Sequence, residues 1–243
     1  VSRSISSIEK EAKHLTGLPG FKGYIFDVGG PTANMFGIEC EKKIKGGACP
    51  SKRCIYPKAC NDMKIDHGPQ IELLTRLRKI KGIKKIFVAS GLRYDMILND
   101  AVNGAKYLNE LVEHHVSGQL KIAPEHTEPG VLSLMGKSGV KELSIFKDKF
   151  DRLNNILDKK QFLTYYFIAA HPGCTDDDMT KLKKYIGKKL RTNPEQVQIF
   201  TPTPSTYSTL MYYLEEDPFT GEKLFVEKDN GKKQKQKDIL LRK

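Results

Sequence analysis

The sequence predicts an α/β fold built from parallel βαβ units, on three observations. Short apolar runs at residues 24–28, 85–90, 119–123, 162–170 and 197–201 alternate with amphipathic stretches of helical period. Of the 243 residues, 39% are hydrophobic, enough for a core. No apolar run reaches the roughly eighteen residues that a membrane-spanning helix needs. Finally, each run turns polar at its C-terminal end, reading DVGGPT, ASGLRYD, IAPEHTE, AAHPGCTDD and FTPTPST. Buried strands joined by helices form parallel pairs with right-handed crossovers, which leaves a doubly wound sheet or a barrel. In both, the loops after the strands build the active site, so five polar strand ends in succession predict an enzyme.

The chain opens on a helix at residues 5–15, with Ser4 placed to cap it. The first strand, expected to be buried, ends in Gly29, Gly30 and Pro31. Helices are expected at residues 71–80, 105–115, 143–157 and 176–190. The last begins TDDDM, acidic residues suited to the positive end of a helix. The tail, EKDNGKKQKQKDILLRK, is rich in lysine and poor in apolar residues. From about Lys228 it is expected to lack fixed structure on its own.

The formal net charge is +12. Much of the excess lies in that tail, and the rest is scattered, as in RLRKIKGIKK. Without aromatic residues interleaved among the basic ones, a solvated surface is favoured over a nucleic-acid site. The first residues lack the apolar stretch of a secretory signal, and a cytoplasmic location is expected, with no membrane partner.

Each strand end carries a chemical reading and a plain one. Gly29 and Gly30 either let the backbone approach a ligand closely or make a tight exit turn. No G-x-x-x-x-G-K follows, so this is not a phosphate loop. Arg93 suits a carboxylate by two-pronged contact, or it pairs internally with Asp95. Glu125, fixed by the preceding Pro124, could hold ribose hydroxyls or act as a base. The alternative is a helix-capping box that includes Glu128. His171 is either a ligand-side residue or a structural histidine beside a turn.

Cys40, Cys49, Cys54 and Cys60 lie within CEKKIKGGACPSKRCIYPKAC, a lysine- and glycine-rich insert with little apolar content. Such a segment needs a staple. Four thiolates make a complete set for zinc or an iron–sulfur cluster, and two disulfides are the alternative. A chain without secretory signals favours metal. His67 is a substitute ligand or a loop histidine, and Cys174 has no assigned role.

These strand ends resemble those of radical S-adenosylmethionine (SAM) enzymes, and most closely the YgiQ-type radical SAM family. DVGGPTANM, ASGLRYD, LKIAPEHTE, YFIAAHPG with TDDDM, and QVQIFTPTP match in order, from about Ser2 to about Met211. The resemblance implies a partial (β/α)6 barrel of the TIM type. Five of its six parallel strands are present, with a cysteine-rich insert at about residues 38–68 after the second barrel strand. Residues 1–214 form the barrel and 215–243 a basic extension, poorly ordered at its end.

In that family a glycine pair after the second strand holds the amino group of SAM, a place taken here by Gly29 and Gly30, with Pro31 and Thr32 beside them. Pro31 stands where many relatives have glutamate, so the backbone role carries over better than a side-chain one. The resemblance sets Arg93 facing SAM or substrate, Glu125 on the ribose, and Ile168, His171 and Pro172 against adenine, with Thr201 flanking it. The family's C-x-x-x-C-x-x-C motif, whose thiolates bind a 4Fe–4S cluster, does not occur in these 243 residues. The implied chain is a fragment, inactive by itself, with its cluster ligands upstream.

The implied chemistry is reductive cleavage of SAM to methionine and a 5′-deoxyadenosyl radical, which abstracts hydrogen from an unknown substrate. An electron donor such as flavodoxin or ferredoxin is implied, and the catalytic residues are unknown. Cys40, Cys49, Cys54 and Cys60 would hold an auxiliary iron–sulfur cluster or zinc. Two other classes compete. A non-radical barrel lyase or isomerase needs a lysine at a strand end or a phosphate loop, and Lys121 lies inside a strand. A metal-stapled nucleic-acid or RNA-binding module would lean on the insert and the tail.

Overall fold

The computed structural model describes residues 2–30, 32–47, 49, 53–194 and 196–241. The chain divides into two compact units. The first comprises Val1–Ala48, Asn61–Ile122 and Glu142–Leu163, and the second Cys49–Cys60, Ala123–Lys141 and Thr164–Lys243.

Unit 1 opens with α1 (Ile5–Thr16), whose N-cap Ser4 accepts a hydrogen bond from the Ser7 N–H as expected. The strands β1 (Tyr24–Ile25) and β2 (Lys85–Ile86) pair in parallel, Tyr24 opposite Lys85 and Ile25 opposite Ile86. Both are shorter than the apolar runs suggested. Hydrogen bonds nonetheless continue past them, from the Phe87 N–H to the Ile25 carbonyl (2.9 Å) and the Val28 N–H to the Phe87 carbonyl (2.8 Å). A parallel bridge between Leu92 and Ile122 then reaches the next strand, β3 (Gln119–Glu125).

Between β1 and β2 lie α2 (Glu41–Gly46), which buries no residue, and α3 (Gly68–Arg78). After β2 come α4 (Tyr94–Asn99) and α5 (Gly104–Glu110), the latter running into a π-turn at Leu111–His115. The core of unit 1 gathers Leu73, Leu74 and Leu77 of α3, Ile86, Tyr107, Leu111, and Phe146 and Phe150 of α7 (Val140–Ile156). Burying one such side chain stabilises the fold by about 1.5–3 kcal/mol.

One expectation fails here. The first strand is not buried: Tyr24 is 41% exposed and Phe26 75%. Among the described residues β1 pairs only with β2, so it is an edge strand of that sheet.

Unit 2 holds the end of β3, most of β4 (Phe162–Ala169) and β5 (Gln196–Ile199), in the order β3-β4-β5. β4 and β5 run parallel, from Tyr166 opposite Gln196 to Ala169 opposite Ile199. Along β4, Tyr165, Phe167 and Ala169 are buried, while Thr164, Tyr166 and Ile168 on the other face are half-buried. This period of two follows from the pleat. The helices are α6 (Pro129–Met135), α8 (Asp176–Tyr185, continuing as a π-turn to Leu190), α9 (Tyr207–Leu214) and α10 (Asn230–Leu241). The TDDDM signal is realised as a capping box, with Thr175 and Asp178 satisfying each other's backbone N–H groups.

The tail also differs from expectation. Residues 230–241 form α10, and its Lys233, Gln236 and Leu240 are buried. Gln236 Oε1 accepts from the Ala170 N–H (3.0 Å) and its Nε2 donates to the Cys174 carbonyl (3.2 Å). Lys233 Nζ donates to the Tyr212 hydroxyl (2.9 Å) and lies over its ring. Composition suggested disorder because it counts the lysines on the solvated side and misses three well-spaced contacts.

The strands are parallel wherever their register is set out, in two small sheets within a mixed α/β fold. Among the described residues no helix is long and apolar enough to cross a membrane.

Candidate functional site

In unit 1 the end of β1 is shaped by Asp27. Its Oδ1 accepts from the Ala89 N–H (2.9 Å) and the Ser90 N–H (3.2 Å), and its Oδ2 takes the Ser90 hydroxyl. That clip explains Gly29: a Cβ there would sit 3.2 Å from Asp27 Oδ1 and 3.3 Å from Ser90. Among the described residues Gly30 has no such reason, since a Cβ there would meet only the Thr32 carbonyl at 3.9 Å. Both glycines and Thr32 line a cavity of about 440 Å3, walled also by Arg3, Phe36 and Gln70. Gln70 Nε2 donates to the Ala33 carbonyl (2.6 Å), while its buried Oε1 has no partner among the described residues. Pro31 lies outside the described residues.

At the end of the run that begins with β2, Arg93 pairs with Asp95 through Nε (3.0 Å) and Nη2. The internal ion pair is therefore realised, and it occupies two of the guanidinium's three nitrogens. His67, at the N-cap of α3, is the structural histidine that leads into this helix. It is fully buried, donates from Nδ1 to Asp100 Oδ2 (2.8 Å) and stacks on Tyr107. Burial pushes its pKa down despite Asp100.

In unit 2 several strand ends are conformationally unusual. Glu125, Ala170 and Ser205 adopt φ of 65°, 57° and 63°, the left-handed region that residues other than glycine avoid. Glu125 does not form the capping box; its carboxylate pairs with Lys137 Nζ at 2.8 Å. Glu128 is the N-cap of α6 without a side-chain cap bond, and its N–H donates to His126 Nδ1 (3.0 Å). Tyr166 and Ile168 share the half-buried face of β4, and the Thr164 hydroxyl has no partner among the described residues. Burial and then the Glu125 charge raise the Tyr166 pKa.

His171 is buried and fully engaged. A carbonyl can only accept, so Nδ1 carries the hydrogen donated to the Pro172 carbonyl (2.8 Å). Nε2 therefore accepts from the Ser208 hydroxyl (2.8 Å). Burial drives its pKa down to about 4, which keeps it a neutral acceptor near neutral pH. Its ring meets Phe200 edge-on at 5.2 Å. Pro172 is buried beside it, and Thr201, just after β5, is exposed. Ser208, unforeseen in the sequence, carries no motif and lies 37 residues from its partner.

Arg53 is a second residue that sequence reasoning passed over. Its guanidinium lies over the rings of Tyr56, Tyr207 and Phe219 and donates to the Ser133 carbonyl (2.6 Å). That contact docks the insert segment at residues 53–56 on α6 and α9.

No disulfide joins any of the five cysteines, and Cys49 and Cys54 are exposed. Among the described residues no group of three or more His, Cys, Asp and Glu side chains is placed to hold a metal ion. Cys174 is buried, 3.6 Å from His126 Nε2, and burial pushes its thiol up to about 12, so it is inert.

No protein-family model matches the chain. A UPF0313 protein of Fusobacterium nucleatum is 65% identical over 243 residues, all of this chain and 43% of that protein. UPF0313 proteins of Clostridium perfringens and Methanosarcina mazei are 47% and 46% identical over 239 residues, covering 36% and 37% of their lengths. The chain is thus similar along its whole length to UPF0313 proteins, the family to which YgiQ belongs, and spans less than half the length of these curated relatives.

Proposed function

We propose that the chain is the SAM-binding part of a radical SAM enzyme whose strands belong to a partial (β/α)6 barrel. The observation that carries this is the Gly29–Gly30 cavity. Gly30 is a glycine that no packing among the described residues requires, at the wall of a ligand-sized space that Thr32 and Gln70 also line. The residues present fit a small ligand met largely by backbone.

Gly29, Gly30 and Thr32 would receive the amino-acid end of SAM, and Arg93 would offer Nη1. In unit 2, where the resemblance sets Glu125 on a ribose, the left-handed backbone and the Lys137 pair fix the direction of its carboxylate. Ile168 would present an apolar surface to adenine, while His171 and Pro172 hold the turn beside it. When bound with a reduced 4Fe–4S cluster, SAM supplies a carbon radical that abstracts hydrogen from substrate. The ligands of that cluster are not among these 243 residues, because C-x-x-x-C-x-x-C does not occur. The chain's own part is to bind, orient and exclude water.

The test is anaerobic reconstitution of the full-length Fusobacterium nucleatum relative with iron and sulfide, followed by assay for 5′-deoxyadenosine from SAM and reductant. Its formation, and its absence with the present chain alone, is the expected result. Intact SAM beside a fully loaded cluster would overturn the reading.

A further inference from the structure

Where the glycine turn meets the Arg93 strand end, unit 1 contains a buried relay of three side chains, Asn34, His67 and Asp100, whose hydrogen positions are all determined. Asn34 is 0% exposed. Its Oδ1 accepts from the Arg93 N–H (2.8 Å) and its Nδ2 donates to the Arg93 carbonyl (2.9 Å). A backbone N–H can only donate and a carbonyl can only accept, so the amide has one orientation. The second Nδ2 hydrogen faces His67 Nε2 at 3.2 Å, which must therefore be an acceptor. Nδ1 then carries the ring's single hydrogen, donated to Asp100 Oδ2, which also takes the His67 backbone N–H (2.8 Å). Asp100 is held in turn by the Asn103 N–H (2.8 Å).

This arrangement is costly unless complete. Each buried group left without its partner destabilises by about 1–3 kcal/mol. Its output is narrow: it fixes the backbone of Arg93 to the segment that leads out of the glycine turn. Asp95 meanwhile fixes the Arg93 guanidinium. Arg93 is held at both ends, with Nη1 outside the ion pair.

We propose that Asn34 is a positioning residue, anchored by neutral His67, which locks Arg93 to the Gly29–Gly30 turn so that both meet one carboxylate-bearing, amino-acid-type ligand. The inference rests on the SAM reading above and adds the device that orients the arginine. It has a direct chemical corollary. The groups facing His67 are Asp100, Asp66, Asn34 and the Tyr107 ring. If His67 gains a proton, Nε2–H points at the Asn34 NH2, donor against donor. Asn34 must then turn or retreat, and either movement breaks its two bonds to Arg93. Acid therefore unlocks Arg93 through Asn34.

The test uses the present chain, with SAM as the probe, in calorimetry and in 15N–1H spectra from neutral pH down through the His67 titration, which lies below the ordinary histidine range. In the wild type the Arg93 amide signal should follow the His67 titration, and SAM affinity should fall along the same curve. Asn34→Ala should weaken SAM about tenfold or more at neutral pH and uncouple the Arg93 signal from His67. Asn34→Asp, which retains the Arg93 N–H acceptor, should raise the His67 pKa by offering it a carboxylate. An Arg93 amide that ignores His67 in the wild type would overturn the proposal, as would Asn34→Ala binding SAM within about twofold of the wild type. A wild type that shows the coupling but does not bind SAM would retain the lock and sink the SAM reading, hence the lock's assigned ligand. If Asn34→Ala does not fold, the wild-type coupling and Asn34→Asp still decide.

Discussion

At the residue scale, buried histidines govern how this protein responds to acid. His126 and His171 have their pKa values pushed down to about 4 from the ordinary 6.5, in both cases chiefly by burial. The sign follows from proton uptake. As pH falls through about 6.5 the unfolded chain binds protons that the folded chain refuses until about pH 4. Stability is therefore complete above that window, declines across it and levels off below it. The two residues together contribute on the order of 5–7 kcal/mol to that decline. Urea midpoints measured from pH 7.5 to 4.5 should drop steeply, and a flat profile would contradict the burial.

Arg53 makes a second residue-scale prediction. Arg53→Ala removes three ring contacts and one hydrogen bond and should cost about 2–3 kcal/mol. Arg53→Lys should recover little, because an ammonium cannot lie flat between aromatic rings while donating to the Ser133 carbonyl. Chemical denaturation of both variants decides, and full rescue by lysine would show that only charge matters there.

At the scale of elements, α10 serves the turn after β4. The Ala170 N–H and the Cys174 carbonyl belong to the segment that bears His171, and Gln236 satisfies both. Gln236→Leu should leave α10 packed by Leu240 yet strand two buried backbone groups, at a cost of about 2–4 kcal/mol. The same change should speed hydrogen exchange at Ala170 more than at Tyr165 in mid-strand. Equal acceleration at both sites would mean that α10 stabilises the sheet generally and not this turn. Gly173 adds a tight fit to the same segment: a Cβ there would lie 2.1 Å from Leu134 Cδ1, and its φ is 83°.

At the scale of the whole molecule, the sequence showed most where a period or a cap decides structure. The strand positions, the helix opened by Ser4 and the TDDDM start are local signals and were legible. What escaped depends on distant partners. Nothing near Asp27 announces that it clips Ser90, 63 residues away, and nothing near His171 points to Ser208. Charge counting misjudged α10 for the same reason, since Gln236 finds its partners 62 and 66 residues back. The candidate site was legible as polar strand ends. Whether Arg93 pairs internally, and whether four cysteines converge, are questions of three-dimensional placement that spacing does not answer.

The exposed first strand bears on how the isolated chain behaves at high concentration. Tyr24 and Phe26 stack side by side along an edge whose backbone pairs on one side only. An unpaired, aromatic-rich edge is a template for another copy, so aggregation should begin there. Replacing Phe26 with lysine, a charge that β-edges tolerate, should suppress concentration-dependent light scattering while leaving the thermal midpoint nearly unchanged. A variant that scatters as strongly as its parent would move the sticky surface elsewhere, to Tyr213 and Leu214 at the end of α9.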